Sequence, residues 1–166
     1  TVVVDTSCEI GGDGNAIHKG LGYITRIQVP NPGMQGQIIM QALANCSPEV
    51  IICDEIGYHD DVEQIQTTSK RGVGIVATAH GHDIYDILEN ERLSPLLGNY
   101  NPKTRTRTTK PSFKALLAIV EKGVYQFFPN LLESIDAIAA GKEPESYLLG
   151  PRAADHLNRI NPSQTR

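Results

Sequence analysis

Two adjacent carboxylates directly follow a short apolar run near the middle of the chain. The run is Val50–Cys53, and the acids are Asp54 and Glu55. Four apolar residues in succession predict a strand buried on both faces, so the acids emerge at its carboxyl end, where open α/β sheets bind ligands. This is a Walker B pattern, but a buried strand followed by an acidic turn has the same sequence. These six residues alone leave both interpretations open.

As a Walker B pair, the two acids would divide the work of ATP hydrolysis. Asp54 would bind the Mg²⁺ of MgATP, mostly through water, because magnesium takes few carboxylates and keeps much of its hydration shell. Glu55 would orient and polarise the attacking water, which is worth about 10² to 10⁴ in rate for a positioned base. The predicted cofactor is therefore Mg²⁺ with ATP, and Asp54 is the predicted metal ligand.

Polar side chains also follow the apolar runs on either side of this one. A run ending at Asp5 precedes it and is followed by Glu9, and a run ending near Thr78 and His80 comes after it. In a parallel sheet all three carboxyl ends face one crevice. We therefore predict Glu9, Thr78 and His80 as catalytic residues with Glu55, and Asp5 as a nucleotide-binding residue. His80 and Thr78 also have plainer explanations, as a hydrogen-bonded structural histidine and a satisfied hydroxyl at a strand end.

Three longer stretches contain these residues: VVDTSCEIGGDG at 3–14, PEVIICDEIG at 48–57 and RGVGIVATAHG at 71–81. Together they resemble the stage III sporulation protein AA family and its plastid Ycf-type relatives, AAA-type ATPases related to secretion and pilus-retraction ATPases. The similarity covers roughly residues 2–97 and returns at 110–141. Motifs of this length in this order are far more specific than a Walker B pattern alone.

The resemblance implies a RecA-like P-loop fold, ATP as the substrate and a homo-oligomeric ring. It matches residues 5–9 to an acidic box and Thr78 with His80 to a histidine box. Asp54 and Glu55 are matched to the magnesium-binding and water-activating residues. Several relatives add a carboxyl-terminal domain for single-stranded nucleic acid, which makes nucleic acid a second candidate partner.

The sequence differs from that family in lacking a phosphate-binding loop. Gly-x-x-x-x-Gly-Lys-Ser/Thr does not occur, and the only Gly-Lys pair, at 141–142, is followed by Glu143. In the family this loop precedes the strand with which the chain opens, so we interpret the sequence as an excerpt. Loop amides and a lysine neutralise the β and γ phosphates. We therefore predict that the chain alone binds MgATP weakly and does not hydrolyse it.

A basic stretch, residues 103–110, stands where the family has a longer segment with another strand. In an extended conformation, Arg105 and Arg107 would lie on one face. They are candidate ligands for a phosphate of nucleotide or nucleic acid, and the competing interpretation is a solvated basic loop.

Other motifs are weaker. The glycine-rich residues 11–14 predict a turn, since no lysine follows to complete a phosphate site. His80 and His82 lack the further ligands of a zinc site. Arg152 and His156 have the spacing of a nucleic-acid module, which two residues match easily by chance.

Short runs rich in valine and isoleucine alternate with helical periodicity, which predicts an α/β fold with a mainly parallel sheet and flanking helices. We predict an ATPase core over 1–141, with a surface loop up to residue 32, and a loosely ordered tail over 142–166. The predicted strands are 2–5, 50–53, 73–79, 115–121 and 124–128, and the predicted helices are 34–45, 60–71, a short one capped by Asp83, and 130–141.

Composition excludes several classes of protein. The chain of 166 residues has a net charge of -4, which gives no global reason to expect nucleic acid. It contains no apolar run of about 18 residues that would span a membrane. Three cysteines, at 8, 46 and 53, are typical of reduced thiols in an intracellular compartment. The family resemblance implies that this compartment is a plastid or the bacterial cytoplasm.

Three functions follow. The chain is part of a Mg²⁺-dependent ATPase, or it is a non-catalytic ATPase-like scaffold or nucleic-acid adaptor. An unrelated magnesium-dependent phosphotransfer protein is the third, and it leaves His80 without a role.

Overall fold

A computed structural model describes residues 1–12 and 18–160. The chain divides into two compact units, one of residues 1–80 with 91–96 and the other of residues 81–90 with everything from 97 onward. The first unit contains a four-stranded parallel sheet with helices beside it, and the second a three-stranded antiparallel sheet. The predicted α/β class is therefore confirmed.

The sheet of the first unit has the strand order β2-β1-β3-β4, and all its neighbours run parallel. The four strands are β1, Val2–Asp5; β2, Thr25–Gln28; β3, Val50–Cys53; and β4, Gly74–Ala77. Every residue of β1 is buried, as its unbroken apolar run predicts for a central parallel strand.

Two helices of the first unit pack against each other: α1, Gln35–Cys46, and α2, His59–Lys70. The apolar positions of the predicted helix 34–45 include Ile38, Ile39 and Ala42, which are buried on α1, whereas Leu43 is half-buried and Cys46, at the end of α1, is exposed. Gly36 permits the close approach, because a Cβ there would lie 2.7 Å from the Asp60 carbonyl carbon. Three short 3₁₀ helices connect other segments, at Lys19–Leu21, Pro32–Met34 and Ser94–Leu97.

The second unit has the strand order β5-β6-β7. Its elements are α3, Ile84–Glu89; β5, Leu116–Glu121; β6, Val124–Phe128; α4, Leu131–Ala139; β7, Tyr147–Leu149; and α5, Ala153–Ile160. Asp83 accepts hydrogen bonds from the amides of Tyr85 and Asp86, so the predicted cap of α3 is confirmed. Gly123, with φ of 83°, makes the predicted tight turn between β5 and β6.

Two regions differ from the sequence-based prediction. The expected surface loop up to residue 32 contains β2, which pairs along the whole of β1. The described part of the expected loosely ordered tail, residues 142–160, contains β7 and α5, because Tyr147–Leu149 pairs with β6. Both strands are short and make their pairings far from their own position in sequence. Residues 161–166 of that tail lie outside the described residues. Asp13 and Gly14 of the predicted glycine-rich turn lie outside the described residues, and the assignment of 1–141 as an ATPase core stays a prediction.

Across the described ranges, no helix combines the length and apolar character that crossing a membrane requires.

Candidate functional site

The carboxyl ends of β1, β3 and β4 lie side by side at one rim of the parallel sheet. Val4 is level with Cys53, and Cys53 is level with Ala77. Pairing continues past the strands, since the Ile56 amide donates to the Thr78 carbonyl at 2.9 Å. The segments that follow the three strands therefore meet at this edge, as the predicted parallel order requires.

Asp54 lies in this rim as a buried carboxylate, only 2% exposed. Its two oxygens accept hydrogen bonds from the amide of Thr6 at 2.7 Å and the amide of Ser7 at 2.8 Å, and also from the Ser7 hydroxyl. Burial by itself would raise the pKa of Asp54, but the hydrogen bonds from Ser7 and Thr6 outweigh it and hold that pKa below its ordinary value. Asp54 is therefore an ionised carboxylate at neutral pH.

Gln35 connects the ends of β1 and β3 from the first residue of α1. Its side chain is buried, accepts a hydrogen bond from the Thr6 hydroxyl at 2.7 Å and donates one to the Asp54 carbonyl at 2.6 Å. Gln35, Thr6 and Ser7 are not among the individually predicted site residues, although Thr6 and Ser7 lie within the acidic box at 5–9. For Gln35, the sequence signal was a polar residue at the start of a predicted helix whose following turn is apolar, which places its side chain near the buried side of the helix.

Asp5, which is predicted to bind nucleotide, has a fully buried carboxylate that is paired inside the protein. It forms an ion pair with Arg26 of β2 at 2.7 Å and accepts a hydrogen bond from the Gly11 amide at 2.8 Å. Arg26 also donates to the Gly12 carbonyl at 2.6 Å. A direct contact between Asp5 and nucleotide would require this network to open, so its geometry favours a role in shaping the loop after β1.

Glu55 has a different environment from its neighbour Asp54. Its backbone is in the left-handed region, with φ of 42°, where residues other than glycine are strained. Its amide donates to the Thr78 hydroxyl at 2.9 Å, and its carboxylate lies 2.8 Å from Nε2 of His80. Both side chains are exposed, Glu55 to 43% and His80 to 89%. Three of the four predicted catalytic residues thus lie together beside Asp54.

Two further buried groups support the rim. Burial raises the pKa of the Cys53 thiol to about 12, so this cysteine is an unreactive core residue. Asp61, in the first turn of α2, accepts hydrogen bonds from the amides of Gly57 and Tyr58 and thereby holds the turn after Glu55. Burial raises the pKa of Asp61 above its ordinary value, because the hydrogen bonds to its charged form do not fully offset desolvation.

The other predicted site residues are not part of this cluster. Glu9 is exposed, and its side chain makes no hydrogen bond or ion pair with the described ranges 1–12 and 18–160. Arg105 and Arg107 belong to the second unit. Arg107 donates to both carboxylate oxygens of Asp136, at 2.6 and 2.8 Å, and these bonds raise the pKa of Arg107. Its guanidinium is thus already paired with a carboxylate.

The oxygen groups at the rim are suitable for magnesium but not for a dense metal cage. In the part of the chain that the structure describes, no group of three or more His, Cys, Asp or Glu side chains is placed to hold a metal ion. Asp54 offers a hard, ionised carboxylate with the Ser7 hydroxyl beside it. Mg²⁺ commonly binds through one or two carboxylates, with water and substrate phosphate completing its shell.

Comparison with known proteins places these motifs in a family. The sequence profile of the family "Sporulation stage III, protein AA" matches residues 1–103. The chain is 37% identical over 156 residues to Protein SEEDLING PLASTID DEVELOPMENT 1 of Arabidopsis thaliana, covering 85% of this chain and 23% of that protein. It is 34% identical over 158 residues to the uncharacterized protein ycf45 of Porphyra purpurea, covering 86% and 28%.

Stage III sporulation protein AA of Bacillus subtilis is 31% identical over 96 residues, which are 58% of this chain and 31% of that protein. The chain thus spans less than a third of each of these three relatives. No solved structure matches the chain. On the family profile and these identities, the chain belongs to the sporulation stage III protein AA family.

Proposed function

We propose that this chain supplies the Walker B and sensor residues of a Mg²⁺-dependent ATPase with a RecA-like P-loop core. The observation that carries the proposal is the pair of unlike carboxylates at one rim. Asp54 is buried, hydrogen-bonded and ionised, and Glu55 is exposed with His80 at 2.8 Å. Family membership adds support, because the family profile covers residues 1–103 and so includes all the motifs that resemble those of ATPases.

Asp54 is proposed to hold the Mg²⁺ of MgATP. Its two oxygens offer about four lone-pair positions, and Thr6 and Ser7 fill three of them. Little room remains for direct coordination, which favours contact through metal-bound water. When bound, the metal would neutralise charge on the phosphates, and the chain's own contribution is a fixed anion that does not protonate at neutral pH.

Glu55 is proposed as the residue that orients the attacking water and accepts its proton. Its carboxylate is exposed enough to meet water, and the hydrogen bond with His80 fixes its direction. Thr78 holds the Glu55 amide, so the strained backbone keeps one conformation. Strain at a non-glycine residue costs on the order of 1–3 kcal/mol, and it is commonly retained where a side chain must be aimed.

A phosphate-binding loop at this rim would require another strand in the sheet. Among the described residues β4 pairs with β3 alone, and its Val76 is 56% exposed. Parallel strands are usually covered on both faces. We propose that the strand carrying the loop adds at the edge of β4, which is the edge nearest to Glu55 and His80.

The remaining parts of the proposal depend on the family resemblance. ATP is the proposed substrate, and a homo-oligomeric ring in a plastid or the bacterial cytoplasm is the proposed setting. Nucleic acid stays a second candidate partner. Asp5, Arg105 and Arg107 stay candidates for contact with nucleotide, and Arg105 lines an open cavity in the second unit. Glu9 stays a candidate catalytic residue.

The test is ATP turnover by the full-length protein carrying Glu55→Gln. We expect kcat to fall by about 10² to 10⁴, while the affinity for MgATP changes only a few-fold, because the amide keeps the shape but not the base. Glu49→Gln is the matched control, since Glu49 is exposed and lies just before the amino end of the same strand. His80→Ala should also reduce kcat. Unchanged turnover in Glu55→Gln would exclude the proposed role.

The absence of a phosphate-binding motif from these 166 residues keeps one alternative in view. A non-catalytic scaffold or nucleic-acid adaptor would retain the fold without turnover. In that case the unsubstituted full-length protein would hydrolyse no ATP.

A further inference from the structure

One face of the antiparallel sheet in the second unit is made of apolar and aromatic side chains in register. The strand pairing aligns them in two rows across the three strands. We call these six residues the apolar sheet face: Leu117, Phe127 and Tyr147 in one row, and Ile119, Tyr125 and Leu149 in the other.

This face is open to solvent. Ile119 is 70% exposed, Leu117 55%, Tyr147 50% and Leu149 45%, and the two residues of the central strand are partly exposed. Val124 and Phe128, which point to the opposite side of β6, are fully buried. An antiparallel sheet with one buried face ordinarily carries polar residues on the other. Here both faces are apolar, as in a sheet that packs against a second layer.

The size of the face is close to what a pair of molecules needs. The six side chains present on the order of 500 Å² to solvent, near the upper end of apolar patches on monomers. Burying this patch on two copies would remove on the order of 1,000 Å², about the lower limit of specific interfaces.

The charge distribution also permits self-association. None of the six residues is charged, so bringing two copies together places no like charges at the centre of the contact. Charged residues of both signs flank the face, with Lys122 in the turn after β5 and Glu145 just before β7. Two sheets can stack about 10 Å apart with their strands offset by about 30°.

We propose that two copies of this chain associate through the apolar sheet face. The contact joins the same surface of each copy, so a twofold axis relates the two copies and this contact by itself joins no third copy. The pairing is independent of the ATPase proposal, since it uses residues of the second unit only.

The test is sedimentation velocity on the 166-residue chain from about 1 to about 500 µM. We expect a monomer–dimer equilibrium with Kd on the order of 10 µM, typical of a contact at the small end of the range. Ile119→Lys and Leu149→Lys should each weaken the dimer at least about tenfold, because a lysine must be desolvated opposite an apolar surface. Circular dichroism checks that both variants fold.

Val76→Lys is the matched control, because Val76 is an equally exposed apolar strand residue of the first unit. The Val76→Lys variant should dimerise with the same Kd as the unsubstituted chain. Two results would overturn the proposal. One is a chain that stays monomeric over the whole concentration range. Binding of a single-stranded oligonucleotide to the apolar sheet face of such a monomer would not rescue the proposal. The other is a dimer that Val76→Lys disrupts and Ile119→Lys leaves intact.

Discussion

Asp54 and Glu55 are chemically similar neighbours, yet their side chains lie in opposite environments. Asp54 is buried and takes three hydrogen bonds from Thr6 and Ser7, and Glu55 is exposed on a strained backbone beside His80. Strand β3 ends at Cys53, and the left-handed backbone of Glu55 turns the chain after Asp54, so the two adjacent acids meet different surroundings. This difference is what the proposed roles require, a fixed anion at Asp54 and a base at Glu55.

Ser7→Ala tests how the Asp54 carboxylate is held. Removing a hydrogen bond to a buried charge should lower the free energy of unfolding by about 1–2 kcal/mol at pH 7. The folded-state pKa of Asp54 lies below its ordinary value, so its stabilisation is complete above about pH 4 and is lost as the pH falls through the folded pKa. Urea unfolding of both proteins at neutral and acidic pH measures the difference.

An Asp54→Asn background provides the control for Ser7→Ala. In that background Ser7→Ala should lower the free energy of unfolding by less, because the Ser7 hydroxyl no longer donates a hydrogen bond to a charged carboxylate. An equal cost at every pH and in both backgrounds would show that Ser7 does not act through the carboxylate.

Helix α1 both packs against α2 and contributes a side chain to the rim that contains Asp54. Its first residue, Gln35, bonds to both Thr6 and Asp54, and its second, Gly36, lies against Asp60 of α2. A shift of α1 away from α2 would therefore also move the residue that connects β1 with β3. The absence of a side chain at Gly36 is thus tied to the geometry of the candidate site.

Gly36→Ala should destabilise the protein by about 1–3 kcal/mol, because the new methyl group meets backbone that cannot move aside. Gly33→Ala is the control, since its Cβ would lie 3.6 Å from the Asn31 side chain, an ordinary contact. Urea denaturation of the two variants measures the difference. Equal stabilities would contradict the close helix approach.

The chain as a whole carries only part of what the proposed ATP hydrolysis would require. One sheet rim gathers Asp54, Glu55, Thr78 and His80, but no phosphate-binding motif is present in the 166 residues. In P-loop enzymes, backbone amides and a lysine of that loop carry most of the contact with the phosphates.

We therefore expect the 166-residue chain to bind MgATP weakly and to hydrolyse none. Isothermal titration calorimetry should give a Kd no tighter than about 1 mM, the range of a few isolated polar contacts. A phosphate-release assay should show the rate of buffer alone. Measurable turnover by this chain would contradict the prediction.

Much of the framework could be predicted because its signals are local. Unbroken apolar runs identified β1 and β3 as strands, of which β1 is fully buried and β3 is buried on one face and half-buried on the other, and the Asp83 cap marked the start of a helix. These features depend on residues within one or two turns of each other, so the linear pattern contains them. The clustering of Glu55 with His80 followed from the parallel order of the strands.

Other features depend on contacts between distant parts of the chain. Thr6 and Ser7 donate hydrogen bonds to Asp54 across 48 and 47 positions of sequence. Arg26 forms a buried ion pair with Asp5. The short strands β2 and β7 exist because a neighbouring strand was available to pair with them. Their own few residues have no periodicity strong enough to predict this, because burial and pairing are properties of the folded neighbourhood rather than of the segment.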